Sequence, residues 1–392
     1  MKFSSLGKLK NIPAPAAVVQ PAPVAAPEEK IPAPEPQSQD TAIPAESATP
    51  PAQVSRPART LKTPTPVAAP DVPFEELDAR AREIYTSLMA QARELLSRTQ
   101  QPYTEQYEAV RRGCEAAAEE LKTNPVLLNY SAYSTSGDYL AGHTANTTLL
   151  ALAMGLAARL RPGELSLLGF CAMAHDIGMT AYSHLYNNEA RLNEDEFAEM
   201  ALHAEEGIRK LDRIVDLDYR IKDRAKTVIL QVHERLDGGG YPDRLSKEEI
   251  DPLAQFIGIA DSYEALTHPR AWRAAISPPE AVKTLLEKEG RGFNSKAIKA
   301  LIGALSIYPP TSLVALSTGE IARVIQVNPG SLTRPLVEIF LDGKFRQTAK
   351  KTLNLLKHPL TAIERGVPFK ELEKNNPELA ASLELAGWWV EW

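Results

Sequence analysis

Cysteine is scarce: the 392-residue chain has two, Cys114 and Cys171, far apart and without CxxC spacing. That excludes a disulfide framework and a cysteine-based zinc site, and it fits a reducing cytoplasmic location. Cys171 lies in an apolar run and reads as a small core residue. Basic charge is not in excess either. With 44 Lys and Arg against 50 Asp and Glu the net charge is −6. No broad basic surface is implied, so DNA and RNA are not expected partners. Long apolar runs are also missing. The longest, Leu149 to Leu160, is too short to cross a bilayer, so no membrane span is expected. Near the N-terminus Lys2, Lys8 and Lys10 precede apolar residues broken by Pro13, Pro15, Pro21 and Pro23, which leaves no continuous signal-peptide core.

Proline, by contrast, is concentrated. Fifteen of the 31 prolines lie in residues 1–72, with much Ala and one aromatic, Phe3. Such a segment buries too little apolar surface to offset its ordering entropy and reads as a disordered, Pro-rich tail. From Pro73 the period becomes helical, beginning with FEELDARAREIYTSLMAQARELL, and helical stretches recur to about residue 308. Near Pro309 and Pro310 the pattern turns to alternation. SLVALSTGEIARVIQV carries a hairpin signal at Ser317-Thr318-Gly319-Glu320, and LVEIFLDG ends in Asp-Gly. The expected architecture is mainly α: a helical bundle over residues 73–308, a small β module over 309–362 and a short helical tail over 363–392. The tail holds Trp388, Trp389 and Trp392, which read as packing back on the fold.

Seven histidines are present, and their spacing carries the chemistry. His143, the tandem His175-Asp176, His203, His233 and Asp261 follow one another at intervals of 28 to 32 residues, each on its own predicted helix. Helices of about 15 residues that alternate in direction return such stations to one level of a bundle. Facing imidazoles and carboxylates in a common cavity can build a two-metal site, in which one carboxylate touches both ions. After His233-Glu234, DGGGYP at residues 237–242 releases the chain into a loop.

This ordered set, His143, HD at 175–176, His203, HE at 233–234, DGGGYP and AD at 260–261, resembles the HD-GYP branch of the HD-domain phosphohydrolases over residues 75–305. The stretch LSTGEIARVIQVNPGSLTRPLV also resembles an extension that follows some of these domains. The resemblance implies a helical HD domain with two divalent metal ions, iron or manganese, that hydrolyses cyclic di-GMP. It implies that His143, His175, Asp176 and Asp261 hold one ion, and that Asp176 bridges to a second held by His203 and His233. It places Arg270 and Arg273 on substrate phosphate. Gly240, Tyr241 and Pro242 become a loop beside the site, with GGDEF-domain proteins as candidate partners. Arg235 and Asp237 orient that loop. Homo-oligomerisation is left open.

Three positions depart from the family pattern. Val232 stands where a second consecutive histidine is usual, which leaves the second metal one imidazole short. Met179 replaces the lysine of HDIGK, removing a positive charge that would face the phosphate. Glu264 replaces an aspartate. These changes support an alternative, a catalytically weak or inactive signalling adaptor that binds nucleotide or a partner. An HD phosphohydrolase acting on another nucleotide is a third reading, which the GYP loop disfavours. Trp272 reads equally as a base-stacking residue or a core anchor.

Overall fold

The computed structural model describes residues 72–97, 106–132, 138–188, 190–270, 273–328 and 330–385. The Pro-rich tail up to residue 71, Trp272 and the three C-terminal tryptophans lie outside the described residues. The fold is mainly helical with a small C-terminal antiparallel sheet. Among the described residues no helix is long and apolar enough to cross a membrane.

Helices α1 (Phe74–Ser97) and α2 (Gln106–Thr123) pack on each other and lead through a 3-10 turn at Pro125–Ala132 into α3 (Tyr139–Ala157). The sequence of α3 is apolar nearly all round, as expected of a helix enclosed on every side. Every residue from Leu140 to Gly155 is buried, and α1, α4 (Pro162–Ala174), α9 (Pro252–Thr267) and α11 (Ser295–Leu305) pack around it. Pro162 and Pro252 open α4 and α9, where a missing N–H costs nothing. Asp251 caps α9 through the Leu253 N–H, and Asn294 caps α11 through the Ala297 N–H. Ser277 and Glu280 form a capping box at the start of α10 (Pro278–Leu286).

Between α4 and α9 run a short α5 (Ser183–Tyr186), α6 (Glu194–Ala201), α7 (His203–Leu211) and α8 (Tyr219–Leu230). The stretch LNEDEFAEMALHAEEGIRKL, helical in period, breaks at Leu202 into α6 and α7. A 3-10 turn at Ile177–Ala181 follows the His175-Asp176 pair and lies against α7. Gly178 permits that approach. A Cβ there would sit 1.9 Å from the His203 carbonyl oxygen and 2.6 Å from the Gly207 nitrogen. Gly178 therefore lets two backbones touch.

The sheet has the order β4-β3-β2-β1-β5 and is antiparallel throughout. Its strands are β1 (Leu313–Leu316), β2 (Ile321–Asn328), β3 (Ser331–Leu341), β4 (Gln347–Asn354) and β5 (Ile363–Gly366). The hairpins at Ser317–Glu320 and after Asp342-Gly343 lie where turn chemistry placed them. Strand β5 falls inside the stretch expected as helical tail, because four residues give too short a period to register. Two apolar clusters cover the sheet, one shared with α12 (Phe369–Asn375) and α13 (Pro377–Leu385). The Asn129 amide donates to the Ile325 carbonyl at 2.8 Å, joining the sheet to the helices.

Gly178→Ala is expected to lower unfolding stability by about 1–3 kcal/mol, since the added methyl meets backbone rather than a movable side chain. Urea denaturation of the metal-free protein measures it, and an unchanged midpoint would contradict the contact.

Candidate metal centre

Histidine 143 projects from the second turn of α3, and Asp261 from the middle of α9. The other stations stand at helix ends rather than within helices. His175 is the C-terminal cap of α4, His203 is the first residue of α7, and His233 lies three residues beyond α8. All six side chains expected to meet do so. His143, His175 and Asp176 bring ligand atoms within 4.8 Å of one another, and so do Asp176, His203 and His233. Asp176 belongs to both groups. Asp261 lies between them, with Oδ1 3.3 Å from His143 Nε2 and Oδ2 3.8 Å from His233 Nδ1.

Each imidazole presents a chosen nitrogen. The Nδ1 of His175 lies 2.8 Å from the Ala172 carbonyl, and that of His203 lies 2.7 Å from the Met200 carbonyl. A carbonyl only accepts, so both Nδ1 atoms carry hydrogen, and Nε2 is the atom by which each neutral ring can offer a lone pair to a cation. The Nδ1 of His143 meets Glu264 Oε2 at 2.5 Å, which turns its Nε2 toward Asp176 (3.5 Å) and Asp261. The Nε2 atoms of His203 and His233 face each other at 3.0 Å. Two lone pairs at that distance repel unless a proton or a cation lies with them.

The donor set fits bound cations. His175 Nε2 and Asp176 Oδ1 are buried and have no hydrogen-bond partner among the described residues, an arrangement that costs free energy unless an ion meets these atoms. Nitrogen and carboxylate oxygen donors together suit a transition-metal ion. The charge pattern agrees. Burial alone would push the Asp176 carboxyl up, but the imidazoles around it, His175 foremost, hold it well below the usual range. Asp261 is likewise held down to about 2, against burial, by His143 and the neighbouring histidines. Burial, helped by the charge of His203, pulls His233 down to about 4. A site with ionised carboxylates and a neutral imidazole is prepared for a metal.

The loop after His233 forms one wall. Tyr241 stacks on the His233 ring at 4.8 Å and 12°. Phe197 of α6 meets Tyr241 edge-on at 5.8 Å. Gly240 permits this course, because a Cβ there would come within 2.4 Å of Glu234 Cα. Pro242 follows through a cis peptide bond. Glu234 is not part of either ligand group. Its buried carboxylate accepts from the N–H groups of Asp243 (2.7 Å) and Leu245 (3.0 Å), closing the loop on itself. Arg235 donates to the Val232 and Glu234 carbonyls and lies over Phe293, and Asp237 accepts from the Gly239 N–H.

Of the two arginines, Arg270 lies over the Tyr139 ring at 4.3 Å, with Nη2 3.6 Å from Glu264. Tyr139 is itself stacked on His143. Arg273 donates to the Ala265 carbonyl near the end of α9. Val232 is buried in the main apolar core, and position 232 adds nothing to the second group. Met179 is buried as well. A buried lysine, Lys210 of α7, donates to the Ile177 carbonyl and the Thr180 hydroxyl, holding the turn after Asp176. Sequence reasoning missed Lys210, as it did Asn146 and His268 beside Glu264. Only the i+4 spacing of His268 from Glu264 on α9 signalled any of them.

Residues 130–296 match the HD domain family, and residues 313–375 match the family described as a KOW domain associated with HD domain. The chain is 30% identical over 232 residues to the cyclic di-GMP phosphodiesterase PA4108 of Pseudomonas aeruginosa, covering 59% of this chain and 55% of that protein. It is 25% identical over 247 residues to the cyclic di-GMP phosphodiesterase PdeB of Borreliella burgdorferi, covering 61% and 62%. The chain thus spans between half and two thirds of the length of these relatives. Among solved structures, Bd1817, an HDG"Y"P protein from Bdellovibrio bacteriovorus, aligns over 59% of this chain and 74% of that one, with a TM-score of 0.49 and 20% identity. Over residues 130–296 the chain thus matches the HD domain family, and there its ordered histidines and aspartates and the DGGGYP loop follow the HD-GYP pattern.

Proposed function

We propose that the chain is a metal-dependent phosphodiesterase that hydrolyses cyclic di-GMP. One observation carries the reading: two triads of ligand atoms share the Asp176 carboxylate. The named activity of the relatives supplies the substrate class. In this reading His143, His175, Asp176 and Asp261 hold one ion, and Asp176, His203 and His233 hold the other, with iron or manganese as the ions. Bound divalent ions supply Lewis-acid polarisation of a phosphoryl group and an activated nucleophile at neutral pH.

The protein's own residues do the rest. Asp176 sets the spacing of the two ion positions. The Ala172 and Met200 carbonyls hold His175 and His203 in the ligating tautomer. Tyr241 and Phe197 keep water from the His233 side. Arg270, held over Tyr139, is the cation placed to take a phosphate oxygen. The phosphate role expected of Arg273 is weakened by its commitment to the Ala265 carbonyl. A cytoplasmic location and GGDEF-domain partners complete the reading, the latter at the loop where Asp237 and Gly239 are exposed.

A second reading, a signalling adaptor without efficient hydrolysis, is favoured by Val232 and Met179. Both are buried apolar side chains where the family pattern has a ligand and a charge. The two readings differ in a simple assay. Anaerobically purified protein supplied with manganese or iron is expected to convert cyclic di-GMP to the linear dinucleotide or GMP, followed by chromatography. Absence of product, while a family member with both histidines turns over in parallel, would remove the enzyme reading. The reversions Val232→His and Met179→Lys add a second comparison. In an enzyme the restored charge raises kcat by at most about 10²–10³ over a measurable starting value. Activity seen only in the double revertant would establish the adaptor.

A further inference from the structure

The His143 anchor is itself held from outside the HD match. The Tyr85 hydroxyl, on α1, donates to Asn146 Oδ1 at 2.7 Å. The amide nitrogen of Asn146 lies 3.4 Å from Glu264 Oε1 and 3.3 Å from His268 Nε2. The Nδ1 of His268 meets the Glu264 carbonyl at 2.9 Å and therefore carries hydrogen, which leaves Nε2 as an acceptor. Glu264 then closes on His143 Nδ1. The chain of contacts has one consistent direction. Asn146 can donate to both Glu264 and His268 only if its carbonyl faces Tyr85. Flipped, that carbonyl would oppose a carboxylate and the amide N–H groups would waste a donor on a hydroxyl. All five residues are buried, so water cannot replace a lost partner.

We infer that Tyr85 is a positioning residue for the first ion position: its hydroxyl orients Asn146, Asn146 holds Glu264, and Glu264 fixes the ring of His143. The inference rests on the metal-centre reading above and adds to it a control point on α1, which precedes residues 130–296. It also gives Glu264 a task. The carboxylate that departs from the family's aspartate is the one that bonds His143, Asn146 and the His268 region together. Outer groups of this kind change metal affinity by about 10- to 100-fold when removed.

Manganese titration of the full chain, with free ion followed by electron paramagnetic resonance, tests this without reference to hydrolysis. Tyr85→Phe keeps the ring, which packs 5.4 Å from Tyr130, and removes only the hydroxyl. It is expected to weaken one of two bound ions about 10-fold and leave the other unchanged. Glu264→Gln, which keeps an acceptor for His143, should weaken the same ion less than Glu264→Ala. Tyr130→Phe is the control for packing. Its hydroxyl bonds Asp78 at 3.0 Å, on the same helix but away from the relay, and its loss should leave both ions untouched. Equal binding by wild type and Tyr85→Phe would overturn the inference alone, and so would equal weakening by Tyr85→Phe and Tyr130→Phe. A wild-type chain that binds ions but does not hydrolyse cyclic di-GMP would end the enzyme reading and leave the relay intact. A wild-type chain that binds no ion would end both.

Discussion

A single buried carboxylate organises this molecule. Asp176 stands among four imidazoles, two in each ligand group, and its ionised form is held there against the cost of burial. Uncompensated, a carboxylate in such a place would be expensive. Here the compensation is geometric, because every neighbouring histidine arrives with its ring orientation already set. His175 is fixed by the Ala172 carbonyl of its own helix, His203 by the Met200 carbonyl of the preceding helix α6, and His143 by Glu264. The helical scaffold therefore supplies direction as well as proximity.

The packing around Asp176 follows from that demand. The buried helix α3 brings His143 and Asn146 to the centre, and α9 runs beside it with Asp261 and Glu264 one turn apart. The turn after Asp176 is pressed onto α7 through Gly178, and Lys210 ties it from beneath. The loop after His233 is shaped by Gly240 and closed by Glu234, so that Tyr241 lies flat on the imidazole. Rigid supports of this kind keep ligand atoms in place before any ion arrives.

Much of this was legible in the sequence, because the ligands carry their chemistry in their residue types. The order and spacing of His143, His175-Asp176, His203, His233 and Asp261 announced one pocket, and the structure brings the first five into two linked groups with Asp261 beside His143 and His233. The β hairpins were readable from Ser317–Glu320 and Asp342-Gly343. The supporting shell was not. Tyr85, Asn146 and Lys210 are polar residues on helices with no local signature, and only long-range packing reveals whom they serve. The helix ends were also hidden. His203 lies beside a break within a stretch of helical period, and the helix before His233 ends three residues ahead of it, since periodicity does not report where a chain stops for the sake of a ligand. Arg273 had the spacing of a phosphate ligand, and its contact with the Ala265 carbonyl of α9 had no signal in the sequence.

The shared role of Asp176 is tested most directly by metal content per chain, measured by plasma mass spectrometry on protein purified without oxygen. Two transition-metal ions per chain are expected in the natural sequence, and both should be lost or severely depleted in Asp176→Ala, because each ligand group then lacks its common member. A natural chain that retains no ion, or an Asp176→Ala variant that keeps two, would contradict a centre built on one shared carboxylate.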